Sequence, residues 1–332
     1  MKIKSLVIEN FKSIERIELI EPNPFTVFVG PNGSGKSNIF EALEFVNQIT
    51  RYDRHIALRL FGGLNGVVHR RNRNNTFRFV GDFNDRIPKF ADIKYDLTQS
   101  GHPQNYFSTL SYREVEYLGE SGEWYEEYSQ FYDSFCRIFL SNKKSPKIDF
   151  QDDEALNYSA TNLEKVLKRI LQDPILRDEI FEWLELFVPG FKAVEIDDRD
   201  ELHWFEQSSS EYFTKDLISD GTYNILALLT AVYQSDDKPQ FLCIEEPENG
   251  LHPQVAAELV DFFRIMCEER GHYIWLNTHS QSMASRVRPN EFVVVEKKDG
   301  ATITRQFRKE DFNGMSVDEA WLTNALNGGL AW

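Results

Sequence analysis

The sequence predicts an α/β fold: a mostly parallel sheet around a phosphate-binding loop, an attached antiparallel β lobe and a mainly helical inserted segment. Three observations predict it. GPNGSGKSN at 30–38 follows the apolar run FTVFV at 25–29 and precedes IFEAL at 39–43, giving strand, glycine-rich turn and helix in order. From residue 202 onward, short apolar runs alternate with helical patterns, as βαβ units do. Residues 76–117 are rich in aromatic and β-branched side chains broken by Gly, Asn and Asp, which reads as antiparallel strands.

Taken in order, 3–9 and 14–20 alternate apolar with polar residues as two strands, turning near Phe11-Lys12-Ser13. The buried strand 25–29, the glycine loop and a helix over 37–49 follow. TFRFVGDF, DIKYDLT and YFSTLSYREVEYL are the strands of the β lobe. Residues 124–140, 162–171 and 175–187 read as helices, punctuated by Pro146, Pro174 and Pro189. Sustained heptads are missing there, so no long coiled-coil arm is expected. The segment 119–201 is therefore expected to be a helical insertion into a main domain made of 1–118 and 202–332. In the second part, Ser219 opens a helix reaching 233, and 240–244 is a buried strand. A helix over 255–269 and strands at 273–277 and 292–295 complete it, with VVEKKDG at 294–300 read as strand and turn.

Composition narrows the function. With 332 residues, 41% hydrophobic and 27% charged, the chain reads as a soluble globular protein. Its net charge of −16 repels DNA phosphates, so a nucleic-acid role needs a local basic patch or a partner. The main such patch is Arg70, Arg71 and Arg73 beside His69, which reads as a DNA-facing cluster or equally as a solvated loop. Lys143, Lys144 and Lys147 stand together in the insertion. Cys136, Cys243 and Cys267 are far apart and lack CxxC spacing, which suits reduced thiols in the cytoplasm rather than disulfides or a zinc site. The N-terminal stretch lacks a signal peptide's apolar core, and the longest apolar run, 225–233, is too short for a bilayer, so no membrane is expected.

The loop fits G-x-x-x-x-G-K-[ST] in full, with Asn32, Gly33, Ser34, Gly35, Lys36, Ser37 and Asn38 as its binding residues. Glycines let backbone N–H groups turn inward around phosphates, and the next helix points its positive end at them. Lys36 supplies charge to the β- and γ-phosphates and Ser37 a hydroxyl ligand for Mg²⁺. The apolar strand FLCI ends in Glu245 and Glu246. Glu245 is read as holding Mg²⁺ through water and Glu246 as polarising the attacking water. His279 ends the strand YIWLN-T, where open α/β sheets place ligand chemistry, and is read as a γ-phosphate sensor. His252 is read as structural or as a subunit contact. The expected substrate and cofactor are ATP and Mg²⁺.

Together these residues resemble the ABC-type ATPases of the RecF/SMC/OLD group. The resemblance is carried by IKSLVIENFKSI at 3–14, the loop 30–38, IEEPENGLHP at 244–253, NTHS at 277–280 and LISDGT at 217–222. It implies an ABC-type ATPase head in which two subunits sandwich ATP, so that Ser219 and Gly221 touch the γ-phosphate held by the other subunit. A helix N-terminus capped by Ser219 suits that contact. It also implies that Phe11, Lys12 and Ser13 lie against the base and α-phosphate; the family's glutamine-loop is not placed by the sequence, Gln99 and Gln151 being the available candidates.

This sequence departs from the wider pattern in two places. Asp220 makes the signature SDGT, and Glu245 replaces an Asp; both look like OLD-like defence ATPases. The further acidic ligands of a Toprim nuclease do not follow His279 in recognisable form. The expectation is thus a homodimeric or larger ATPase that controls a separately encoded effector protein, as in antiphage defence. The alternative is a RecF-like ATPase that binds DNA. A transporter subunit fits the SMC-like start poorly.

Overall fold

The computed structural model describes residues 2–51, 54–69, 76–83, 89–96, 108–110, 134–140 and 153–326. These fall into two compact units, residues 1–135 with 287–332 and residues 136–286.

The first unit opens with the hairpin β1 (Ile3–Phe11) and β2 (Ile14–Ile20), in which Phe11 faces Ile14 and Lys12 takes a left-handed φ of 48°. Alternation in β2 puts Ile17 and Leu19 inside with Glu18 and Ile20 outside, while Ile14 is buried at the turn. β3 (Phe25–Val29) is wholly buried and leads through the glycine loop into α1 (Lys36–Arg51). After α2 (Arg54–Leu60) and α3 (Leu64–Val67) come β4 (Thr76–Phe83), β5 (Lys89–Asp96) and β6 (Ser108–Leu110). They extend the hairpin into the antiparallel sheet β2-β1-β4-β5-β6, the predicted β lobe. Phe11, Phe45 and Phe77 meet at ring-centroid distances of 5.3–5.7 Å, packing α1 onto this sheet.

The second unit begins on β7 (Phe135–Phe139), whose first residue belongs to the first unit. The helical reading of 124–140 is corrected here: its described part is this strand, not a helix. FCRIF carries two aromatics and an isoleucine and is almost wholly buried, so burial within the sheet outweighs its ambiguous local pattern. α4 (Leu163–Ile170) and α5 (Pro174–Phe187) lie where predicted, the latter started by Asp173 accepting from Ile175 N and Leu176 N with Pro174 at the first helical position. The three-stranded sheet β10-β9-β8 was not expected: β8 (Phe191–Ile196), β9 (Leu202–Glu206) and β10 (Phe213–Thr214). α6 (Asp220–Tyr233) is apolar on nearly every side and buried from Ile225 to Tyr233. β11 (Phe241–Glu245) pairs in parallel with β12 (Tyr273–Asn277), joined through α7 (Pro253–Arg270), and β7 borders β11. α7 ends on Gly271 at a left-handed φ of 69°, the usual helix-stopping geometry. The short α8 (Gln281–Ala284) follows β12.

The chain then returns to the first unit. β13 (Phe292–Lys298) pairs in parallel with β3 and forms a hairpin with β14 (Ala301–Gln306) through Asp299 (φ 51°) and Gly300 (φ 83°). Two positive φ values in a two-residue loop match the twist of the strands they join. α9 (Val317–Leu322) closes the described chain.

Candidate nucleotide site

The phosphate loop in the first unit is shaped by what its glycines exclude. A Cβ on Gly30 would stand 2.0 Å from the Val295 carbonyl oxygen, and one on Gly35 would stand 2.1 Å from Thr302 Oγ1 and 2.7 Å from Ser13 Oγ. Both glycines also have positive φ, 152° and 106°, so any side chain is disfavoured twice over. Lys36 is 6% exposed and arches over its own loop, Nζ donating to Gly30 O at 2.7 Å and Pro31 O at 3.3 Å. Asn38 N donates to Gly35 O at 3.0 Å, starting the helix, while Asn38 Nδ2 donates to Ser13 Oγ at 2.6 Å. Ser13 is therefore part of the loop's wall, and Lys12 beside it pairs with Glu41 of α1.

Thr302 on β14 is a residue that sequence reasoning missed. It is fully buried; Oγ1 donates to Ser34 O at 2.7 Å and lies 2.6 Å from Ser13 Oγ, and its backbone N donates to Ser13 O at 2.8 Å. One threonine thus ties the β1–β2 turn to the phosphate loop. A single Thr after a DG turn carries no motif, so only the fold could reveal it.

Within the second unit, Glu245, Glu246, His279, Ser219 and Gly221 gather around the carboxyl ends of β11 and β12. Glu246 has a left-handed φ of 47°, which a non-glycine residue adopts at a cost of about 1 kcal/mol. Its N–H is held by Asn277, at 3.0 Å from the carbonyl and 3.2 Å from Oδ1. Asn249 Nδ2 donates to Glu246 Oε2 at 3.2 Å, and Asn224 Nδ2 on α6 donates to Asn249 O at 2.9 Å. Ser219 caps α6, its Oγ accepting from Thr222 N at 3.0 Å, with Asp220 exposed beside it. Gly221 is buried, and a Cβ there would meet the Gly250 carbonyl at 2.4 Å; the turn after Glu246 packs directly on the start of α6.

Two further residues escaped the sequence reading. Glu248 Oε1 accepts from Thr278 Oγ1 at 2.6 Å and from His279 N at 2.9 Å, fixing the backbone under the exposed His279. Burial pushes the Glu248 carboxyl above its ordinary range, against the pull of these hydrogen bonds. Arg137 on β7 grips Glu245: Nε donates to Oε1 at 2.7 Å and Nη2 to the same oxygen. His252 is the N-cap of α7, Nδ1 accepting from Gln254 N at 3.2 Å, which gives it a structural role. Gln99, Gln151, Arg70, Arg71, Arg73 and the lysines 143, 144 and 147 lie outside the described residues.

Residues 25–283 match the family described as "AAA domain, putative AbiEii toxin, Type IV TA system". The chain belongs to this family. This AAA-domain protein is 38% identical over 92 residues to the chromosome partition protein Smc of Methanocaldococcus jannaschii, a match covering 24% of the chain and 8% of that Smc. It is 28% identical over 115 residues to the replication and repair protein RecF of Glaesserella parasuis, covering 29% of the chain and 31% of that RecF. The chain thus spans under a third of the length of either relative.

Among solved structures, an Smc head bound to the C-terminal winged-helix domain of ScpA aligns over 93% of this chain and 99% of that one, with a TM-score of 0.60 and 15% identity. The SMC head domain of Thermotoga maritima aligns over 93% of this chain and 100% of its own, with a TM-score of 0.53 and 14% identity. The AAA-domain protein therefore has an SMC-head-like α/β fold, a mostly parallel central sheet with antiparallel sheets and helices, as the sequence predicts. Its matched stretches are shared with Smc and RecF proteins.

The loop fits a phosphate on the evidence of its own atoms. Gly30 and Gly35 let the loop pack against Val295, Thr302 and Ser13 where a side chain would collide, and Ser34 Oγ is buried there without a hydrogen-bond partner. Ser37 offers a hydroxyl at the end of the loop, an oxygen donor that suits Mg²⁺. No helix among the described residues is long and apolar enough to cross a membrane.

Proposed function

We propose that this protein binds and hydrolyses ATP with Mg²⁺, closing as a homodimer around it, and controls a separately encoded effector protein, in antiphage defence. The observation carrying the hydrolytic part is Glu246, placed in a left-handed conformation between Asn277 and Asn249. Strained, over-determined residues of this kind cluster where a side chain must be aimed. Bound Mg²⁺ would supply charge neutralisation for the transferring phosphoryl group, held by Ser37 and, through water, by Glu245. The loop amides of 32–38 take the phosphates, with Lys36 balancing their charge. Glu246 accepts the proton of the attacking water, and His279 reads the γ-phosphate. Lys12 and Ser13 border the nucleotide, and Ser219 and Gly221 of the second copy close the sandwich.

The effector reading is supported by the family's description, which names a toxin–antitoxin system. A cytoplasmic location is supported by three buried cysteines that form no disulfide. Assembly beyond the dimer, and residues 119–201 as an insertion in the head, belong to the same proposal. The second reading, a RecF-like ATPase acting on DNA, is favoured by the stretch shared with RecF.

Glu246→Gln tests the proposal. The variant should bind ATP, hydrolyse it at least a hundredfold more slowly, and elute as an ATP-dependent dimer by light scattering. An unchanged rate removes Glu246 from the reaction. A stoichiometric protein co-purifying with the trapped dimer supports the effector reading, whereas ATP-dependent binding of duplex DNA without a protein partner favours the RecF-like one.

A further inference from the structure

The carboxylate that follows β11 is tied to a helix as well as to a neighbouring strand. Asn249 holds Glu246 twice: its backbone N donates to Glu246 O at 3.1 Å and its Nδ2 to Glu246 Oε2 at 3.2 Å. Asn249 is in turn held by Asn224 of α6, whose Nδ2 donates to Asn249 O at 2.9 Å. The next residue packs on the same helix. Gly250 has a left-handed φ of 76°, and a Cβ there would stand 3.6 Å from both Asn224 Nδ2 and Gly221 N. In the other direction, a Cβ on Gly221 would stand 2.4 Å from Gly250 O, so turn and helix meet backbone to backbone. All of these residues belong to the second unit.

The two ends of this tie differ in rigidity. Asn224 directly precedes Ile225, where the buried stretch of α6 begins, so its amide stands on a core element. Asn249 and Gly250 stand on a turn, half-buried and exposed respectively. Glu246, with its φ of 47°, keeps a backbone conformation that persists only when its surroundings over-determine it. A reacting group has to be held to within about 0.5 Å, and a misplacement of about 1 Å can cost on the order of a hundredfold in rate. We propose that Asn224 is a positioning residue for Glu246: acting through Asn249, it passes the fixed position of α6 to the carboxylate that polarises the attacking water. The proposal rests on the hydrolytic reading given above. Two amides suit the task because each donates a hydrogen bond and neither sets a countercharge beside the base.

The test measures ATP affinity by fluorescence titration and kcat by phosphate release. Asn224→Ala should bind ATP within about threefold of the wild type and lower kcat about tenfold or more. Asn224→Asp keeps the volume but cannot donate to Asn249 O, and should lower kcat as far. Placed on Glu246→Gln, Asn224→Ala should slow the reaction no further, because its effect runs through Glu246. A folded Asn224→Ala with the wild-type kcat overturns the proposal, as does an equal extra loss in the double variant. If Asn224→Ala does not fold by circular dichroism, Asn224→Asp decides on the same two readouts. Failure of the hydrolytic reading shows separately, as a Glu246→Gln variant that turns over at the wild-type rate, and takes the proposal with it.

Discussion

Glu248 holds the backbone beneath His279. One carboxylate oxygen takes hydrogen bonds from the Thr278 hydroxyl and the His279 amide, at 2.6 and 2.9 Å, and so joins the turn after β11 to the end of β12. Since Glu246 precedes that turn and Asn277 precedes Thr278, the two strand ends are cross-linked on both sides: Asn277 holds Glu246, and Glu248 holds His279. Glu248→Ala removes the second link. It should cost about 1–3 kcal/mol, a melting shift of several degrees, and reduce ATP turnover about tenfold while leaving ATP affinity within threefold. Glu248→Gln keeps the accepting oxygen and should retain most of the activity. Calorimetry and a phosphate-release assay on the two variants separate these outcomes.

Thr302 predicts the reverse pattern, with loss of binding ahead of loss of turnover. Thr302→Val preserves shape but leaves the Ser34 carbonyl and Ser13 hydroxyl short of a partner in a buried place, a cost of about 1–3 kcal/mol. The loop then loses its tie to the β1–β2 turn, and ATP affinity should fall about tenfold in a fluorescence titration. Thr302→Ser restores the hydroxyl and should restore affinity to within threefold. Equal affinity in both variants would show that the tie does not shape the loop.

The contrast between Lys36 and Thr302 shows what was legible in the sequence. Loop, acidic strand end and histidine strand were readable because each packs its chemistry into a few consecutive residues after an apolar run. Arg137, Glu248 and Thr302 act across 108, 30 and 268 residues of chain, and no local pattern marks such partners. The strand at Phe135–Phe139 was mistaken for helix because five buried residues have no distinguishing period. The sheet of β8, β9 and β10 went unread for a related reason: its strands have only two to six residues each, leaving little alternation to see.

Ser219 offers a test of whether sites are shared between copies. Its hydroxyl caps α6 while the residue itself is exposed. Ser219→Arg places a bulky cation where an incoming phosphate would meet the helix start, and Lys36→Ala removes the loop's charge. Each variant alone should lose at least nine-tenths of its ATPase activity. Mixed in equal amounts, they should recover up to about a quarter of the wild-type rate, because one of the two composite sites in a mixed dimer is intact. No recovery in mixed dimers, verified by differently tagged subunits, would mean that each copy hydrolyses alone.

His272 sets a pH limit on the fold. It is fully buried behind β12, with Nδ1 accepting from Gln240 N at 3.2 Å. Burial, aided by the Arg270 cation, pushes the imidazole down to about 4 from its ordinary 6.5. Between those values the unfolded chain carries a proton on this histidine and the folded chain does not, so unfolding takes up a proton and acid favours it. The stability tied to His272 is complete above pH 6.5 and is lost as pH falls towards 4. From pH 7.5 to pH 5 the loss should be about 2 kcal/mol. His272→Asn keeps an acceptor for Gln240 N but cannot titrate there. Urea unfolding at the two pH values should therefore show a smaller drop for the variant than for the wild type, by about that amount. An identical drop in both proteins would assign the acid sensitivity to other groups.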